Sequence, residues 1–248
     1  MDMEQSMETQ DRVVIPSPEE LKAISDSLEQ SSPEEILRWA VETYYPKLTM
    51  ATAFGAEGCV LLAMLAGIEP NGRNVRVFNL ETGYQFPETL ALREQFREQY
   101  GIEVEYVRAR ESVEAMEARL GGPIYGTDPD ECCRIRKVEP LKDALRGYDA
   151  WFSAIRRDQT PDRAQSGIVE WDKKFNMVKI SPLANWTKAE VWAYIQINEV
   201  PYNPLHDKGY PSIGCWPCTR AVTQNEDERA GRWSNFAKLE CGLHSRQS

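Results

Sequence analysis

Apolar and polar positions along the chain change period several times. SPEELKAISDSLEQ carries apolar residues at helical spacing, with Ser17 as N-cap and Glu20 placed to close a capping box. SPEEILRWAVETYY repeats the pattern from Ser32, with Pro33 at the first helical position. The period then shortens. LTMATAF predicts a strand, GAEG a turn, and CVLLAMLAG an apolar helix ended by Gly67. NVRVFNL and IEVEYVRA predict two more strands with the helix PETLALREQFREQY between them, and a further helix covers about 111–119. WFSAI, residues 151–155, is a later strand; GIVEWDKKFNMVKI reads as a hairpin, and TKAEVWAYIQIN as a helix capped by Thr187. Strands alternating with helices predict an α/β fold with a mainly parallel sheet flanked by helices. Residues 1–15 are expected to be a disordered tail, 16–225 one domain, and 226–248 a mobile C-terminal segment.

Composition narrows the function classes. The chain of 248 residues is 42% hydrophobic, enough for a sizeable core. Its net charge of −10 argues against nucleic acid or an anionic membrane as partner. No apolar run has the length of a membrane span, and MDMEQSMETQDR does not resemble a signal peptide. Six cysteines in such a chain predict a reducing, cytoplasmic setting, where clustered thiols bind metal or do catalysis more often than they form disulfides. The sequence leaves a homo-oligomer open.

Four of the cysteines form two pairs. ECCRIRK holds Cys132 and Cys133, followed by three cations in four residues, and GCWPC holds Cys215 and Cys218. Structural zinc prefers two-residue spacing in both pairs, which adjacent cysteines do not offer. A [4Fe–4S] cluster is larger, and neighbouring thiolates that diverge from one backbone can reach two of its irons. The spacing therefore favours a cluster over zinc, and zinc over unliganded core thiols. A thioredoxin-type redox pair is a further reading of the CxxC, but that motif should open a helix after a strand, and here it follows GYPSIG with Pro217 inside.

The strand–turn–helix around Phe54, Gly55, Ala56, Glu57 and Gly58 offers backbone amides at a helix start, a ready anion site. Basic residues cluster in three runs: Arg134, Arg136 and Lys137; Arg156, Arg157 and Arg163; Arg229 and Arg232. Three runs next to strand ends or cysteine motifs point to an anionic pocket in an otherwise acidic protein. Near the chain end, KLECGLH holds Cys241 with His244 three residues on, where nearby cations favour the reactive thiolate. Cys59, inside the apolar helix, reads as a buried, inert thiol.

Taken together, TAFGAEG, NLETGYQFPET, ECCRIRKVEPL, RRDQTPDR, KISPLANWTKAEVW, NPLHDKGYPSIGCWPCTR and ERAGRW…ECGLH resemble, in order, the thiol-dependent adenylyl-sulfate (APS) and phosphoadenylyl-sulfate (PAPS) reductases of assimilatory sulfate reduction. The paired CC and CxxC resemble the APS-using branch with a [4Fe–4S] cluster; some cluster-bearing members accept both nucleotides. The resemblance implies a fold like the adenine-nucleotide α-hydrolases (PP-loop-like). It implies adenine and ribose near Leu80, Thr82 and Gly83, and phosphate and sulfate held by the 54–58 turn, Lys137, Arg163, Arg229 and Arg232, with His244 closing alongside. It makes Cys132, Cys133, Cys215 and Cys218 the cluster ligands and Cys241 the nucleophile. Lys137 would stand between cluster and substrate. Two blocks depart from the family pattern: the loop usually reads FSGAED, where this chain has Phe54 for serine and Gly58 for aspartate, and Ala154 stands where glycine is common. Some members carry a fused thioredoxin-like domain after ECGLH; with Ser248 ending this chain, a separate thioredoxin or glutaredoxin is expected. PAPS reduction, or dual use, is the alternative. A more distant one is an ATP-dependent sulfurtransferase of the same nucleotide fold, which should carry an SGGxDS-type loop in place of AFGAEG. A non-catalytic metal module would have no need of ECGLH.

Overall fold

A computed structural model of the chain describes residues 16–68, 71–234 and 236. The expected N-terminal tail lies outside the described residues. The first two helices, α1 (Pro18–Ser27) and α2 (Pro33–Tyr44), are closed by capping boxes at Ser17/Glu20 and Ser32/Glu35, in which each serine hydroxyl and each glutamate carboxylate accept the other residue's backbone N–H. Four orphan amides begin every helix, and these boxes satisfy two of them at each start. The chain then alternates: β1 (Leu48–Thr52), α3 (Ala56–Ala66), β2 (Arg76–Glu81), α4 (Pro87–Tyr100), β3 (Val104–Arg108), α5 (Val113–Leu120), α6 (Pro129–Cys133), α7 (Glu139–Ala144), β4 (Ala150–Phe152), β5 (Val169–Asp172), β6 (Met177–Ile180) and α8 (Lys188–Ile197).

The strands form one sheet in the order β3-β2-β1-β4-β6-β5, parallel except for the β5/β6 hairpin. From β1 the chain builds outward through β2 and β3. It then crosses to the other side of β1, where Met50 pairs with Phe152 of β4. The order reverses at β1, so the loops leaving β1 and β4 part and open a crevice at the carboxyl ends of the strands. One face of the sheet packs Met50, Val77, Val104 and Phe152 into the larger core, together with α2, α3, α4 and α8; the other packs Phe78, Leu80 and Trp151 with Leu141 of α7. Helix α3 is buried along its whole length except at Glu57. A helix that is apolar all round is a central one, and its single unburied residue lies in the first turn, at the crevice.

Several expected boundaries shift. GAEG is not a turn: Gly55 is the N-cap and Ala56 already begins α3. The turn is confined to Ala53–Gly55, where Phe54 takes φ +53°, a left-handed conformation unusual for a bulky residue. Its N–H donates to Thr52 Oγ1 (3.0 Å), and its ring is buried in a stack with Phe96. Strand β4 ends at Phe152, three residues before the expected end, because the chain peels into the crevice after Ser153 N–H reaches Ile180 O (2.8 Å). ECCRIRK is helical, but it widens after Cys133 into a π-helical turn over Arg134–Val138 before α7.

The C-terminal boundary expected at 226 falls inside a packed turn. Arg220 N–H donates to Gly231 O (3.0 Å), Arg232 bridges Thr219, and buried Trp233 donates its N–H to Cys218 O (3.1 Å). The chain is therefore held through Trp233. Residues 235 and 237–248, which include Cys241 and His244, lie outside the described residues.

Phe54 locks the β1–α3 turn to the core. Phe54→Ala should lower the unfolding free energy by about 3 kcal/mol, the usual cost of removing a buried aromatic ring, as read from the urea midpoint at constant m-value. An unchanged midpoint would show that the turn does not depend on this anchor.

Candidate functional site

The crevice at the sheet switch point is a cleft of about 1020 Å³, large enough for a nucleotide. Gly55, Ala56, Glu57 and Gly58 form one wall, where the amides that start α3 face the space. Gly58 sits tightly over Thr52: a Cβ there would come 2.9 Å from Thr52 Oγ1. Leu80 of β2 and Thr82 just beyond it line the cleft, Lys137 borders it from the π turn, and Arg163, Arg229 and Arg232 from the later loops. Two expected residues are not in the wall. The Phe54 side chain points into the core and its amide is already bonded. Gly83, at φ +78°, lies behind the wall, with its N–H on Glu81 Oε1 (2.6 Å) and no room for a Cβ, which would come 2.4 Å from Val113 Cγ2. Its role there is to turn the backbone.

The three cations that follow the paired cysteines separate in space because the π turn fans them out. Arg134 faces solvent, bonded to Glu131 and Glu139. Arg136 is buried and braces two loops, with Nε on Thr82 O (2.8 Å) and Nη1 on Glu111 O (2.7 Å). Lys137 alone of the three reaches the cleft, and it also borders a second, smaller cavity.

That second cavity is where the cysteine pairs meet. Cys132 and Cys133 enter it from α6, and Cys215 and Cys218 from the ends of a short turn. Trp216 N–H on Tyr84 O (2.8 Å) fastens this turn beside the end of β2. Tyr84, Tyr125 and Trp233 also line the cavity. Burial, and then the facing Cys133, Cys215 and Cys218, push the Cys132 thiol up to about 12, against the pull of Lys137. Cys218 is pushed up in the same way, by burial first and then by Cys215 and Cys133. Neighbouring sulfurs thus add to burial in opposing the ionisation of Cys132 and Cys218, and a positive centre among them would favour their thiolates. Among the described residues, no three His, Cys, Asp or Glu side chains stand so as to hold a single ion. Four thiols lining one cavity are a donor set that a structural zinc or an iron–sulfur cluster can use. Lys137 and Arg232 line the same cavity and place positive charge beside the sulfurs.

The arginine pair of RRDQTPDR divides. Arg157 points away from the cleft to Glu29, Asn185 and Ser166 O (2.7 Å), tying the loop to the end of α1. Arg156 turns inward, with 5% of its side chain exposed, and pairs with Glu57 (3.2 Å) and Asp158 (3.4 Å). Glu57 therefore stands in the wall as a counter-ion; its carboxylate cannot itself receive an anion. The run of cations was visible in the sequence, but the direction of each was not. His206, for which the sequence predicts no role, lines the cleft against the Trp192 ring, and burial holds its pKa below the usual imidazole value. Its one sequence signal was its place in NPLHDKGY.

Comparisons with known proteins agree with this geometry. The family model for the phosphoadenosine phosphosulfate reductase domain matches residues 47–221. A Gloeobacter violaceus protein named phosphoadenosine 5'-phosphosulfate reductase is 46% identical over 228 residues, covering 91% of this chain and 93% of that protein. A Halalkalibacterium halodurans protein named adenosine 5'-phosphosulfate reductase is 42% identical over 225 residues, covering 90% and 96%. A crystal structure of the PAPS reductase of Candida auris in complex with phosphate superposes with a TM-score of 0.73 at 33% identity, covering 84% of this chain and 98% of that one. No helix among the described residues is long and apolar enough to cross a membrane.

Cys59, fully buried in α3, has its thiol pushed far up by burial and then by Glu57. With negligible thiolate and no access, it should resist iodoacetamide in the native protein at pH 8 and react once urea unfolds the chain. Peptide mass spectrometry reads this directly, and native labelling of Cys59 would contradict its burial.

Proposed function

The chain belongs to the phosphoadenosine phosphosulfate reductase family, and from that premise we propose that it reduces adenylyl sulfate to sulfite and AMP with reduced thioredoxin or glutaredoxin as electron donor. One observation carries the reading: Lys137 and Arg232 border both the nucleotide-sized cleft and the four-cysteine cavity. Cations shared by a nucleotide-sized cleft and a cavity lined by four cysteines suit a cluster-bearing reductase better than a plain nucleotide-binding fold. PAPS is the second reading, and the name of the G. violaceus relative favours it.

The α3 amides and the bordering arginines hold the phosphate–sulfate anhydride of the substrate, and neutralise charge as AMP becomes the leaving group. The Cys241 thiolate attacks the sulfate sulfur. The bond from sulfur to the bridging oxygen breaks, AMP takes the electron pair, and the enzyme carries a cysteine S-sulfonate. A thioredoxin thiolate then attacks Cys241 Sγ, and sulfite leaves with the pair from the S–S bond. The second thioredoxin thiol resolves the mixed disulfide, restores the Cys241 thiolate and supplies the balance of two electrons. Cys132, Cys133, Cys215 and Cys218 would hold a [4Fe–4S] cluster. When bound, it supplies a fixed charge and an anchor for the π turn that carries Lys137. An ATP-dependent sulfurtransferase, with its different phosphate loop, is not favoured by any feature of the cleft.

Replacing any one of Cys132, Cys133, Cys215 and Cys218 by serine should abolish the brown chromophore of anaerobically purified protein and lower its iron content. Iron-free wild-type protein with one zinc and full activity would overturn the cluster assignment. For the chemistry, incubation with adenylyl sulfate and no reductant should add one SO₃ to the peptide bearing Cys241, released as sulfite when thioredoxin is supplied. Cys241→Ser should keep its iron and bind nucleotide yet form no adduct; an adduct on another cysteine would sink the mechanism. In the same assay kcat/KM should favour adenylyl sulfate, and a large preference for the 3′-phosphorylated nucleotide would establish the second reading.

A further inference from the structure

We infer that Gln159 is the positioning residue for Arg163, fixing that guanidinium to the start of α3 through one side-chain amide; the inference rests on the reading of Arg163 as a substrate contact. Gln159 closes the short turn Arg157–Gln159 that follows β4, and Arg163 ends the next one, Pro161–Arg163. Gln159 Oε1 accepts the Arg156 backbone N–H (3.0 Å) and Arg163 Nη1, while Nε2 donates to Glu57 Oε1 (3.0 Å). The partners decide which way the amide faces: two donors meet its oxygen and a carboxylate meets its nitrogen. Among side chains of this length only glutamine satisfies both ends. Glutamate would set a second carboxylate against Glu57, and methionine offers neither bond.

The far end of the tie is itself fixed. Glu57 is the one residue of α3 that is not buried, and buried Arg156 holds its carboxylate at 3.2 Å. A continuous line of contacts, Arg156 to Glu57 to Gln159 to Arg163, therefore crosses the crevice between the loops leaving β1 and β4. A half-buried arginine on a short surface turn has many rotamers. Holding it in one of them before substrate arrives removes an ordering cost from binding. Gln159 also borders the cleft, so direct contact with substrate is the competing explanation.

A double-mutant cycle on the full-length protein separates these explanations, with sulfite release from adenylyl sulfate read as KM and kcat. Gln159→Ala should raise KM about tenfold, the scale of a lost hydrogen bond to a charged group, with a smaller change in kcat and an unchanged thermal midpoint. On an Arg163→Ala background, Gln159→Ala should cost less than about twofold more, because its target is already gone. Gln159→Met, which keeps the side-chain volume, should match alanine and is the variant to read if alanine loosens the loop. Additive losses in the cycle would mean that Gln159 acts on substrate directly and would overturn the inference. So would a wild-type KM in both Gln159 variants. Wild-type protein that releases no sulfite from either nucleotide would sink the proposed activity and the inference with it; a normal wild type with an additive cycle sinks only the role of Gln159.

Discussion

Everything functional in this chain depends on the reversal of strand order at β1. A parallel sheet built outward in one direction covers its strand ends with successive loops packed side by side. Here β2 and β4 flank β1, and their connections leave on opposite sides. The backbone cannot close the gap between them, so α3 starts with its amides facing open space. The same reversal brings the loop after β4, with Arg156 and Gln159, to face the first turn of α3, although about 100 residues separate them in the chain. A cleft that binds an anion is the default use of such a gap.

An acidic protein that collects cations in one place must stop them from repelling one another before a ligand arrives. The structure does this by giving the positive groups different jobs. Arg134 and Arg157 are absorbed by surface carboxylates, and Arg136 by backbone carbonyls. Arg156 is buried against Glu57 and Asp158. A buried arginine without such partners would pay a desolvation penalty of several kcal/mol. Arg232 is seated by contacts of another kind: its guanidinium lies 4.4 Å from the centre of the Trp233 ring, Nη1 bonds Ser212 Oγ (3.2 Å), and Gly214 leaves it the space that a Cβ would occupy.

How much of this was legible in the sequence follows from the range of the interactions involved. Capping boxes at Ser17, Ser32 and Thr187 are local, and the helices begin where those residues predict. The alternation of strands and helices is set by local periodicity, and the parallel sheet follows from it. The π turn after Cys133 had no local signature. Residues 134–138 carry no periodicity that predicts a widened turn; its contacts are tertiary, with Arg136 bonded to Thr82 O and Lys137 lining the cleft. Phe54 was misplaced for a similar reason: a loop residue reads as exposed until the Phe96 ring is known to wait beneath it. Paired cysteines were legible because two thiols cannot sit side by side in a core without a reason. The outward path of Arg157 beside the inward path of Arg156 was not, because neighbours of the same charge in a loop carry no periodicity to separate them.

The two cavities are joined as well as adjacent. Lys137, Cys215 and Arg232 belong to the walls of both. Cys215 is held by a bridge to Gln85 and lies 3.3 Å from Thr82 Oγ1, so the turn carrying CxxC is built onto the end of the strand that borders the cleft. Trp233 fastens the next segment to Cys218, and Arg232 precedes it directly. Any change that loosens the four-cysteine cavity must therefore move cations that line the cleft, without touching the substrate. The coupling needs no electron to pass between the sites. It follows from short covalent distances: Lys137 stands four residues beyond Cys133 on one continuous helical segment, and Arg232 is bridged to Thr219, the residue after Cys218. The proposed centre, by pinning four cysteines from two distant segments, would fix where both cations can stand, and so the shape of the cleft wall they form.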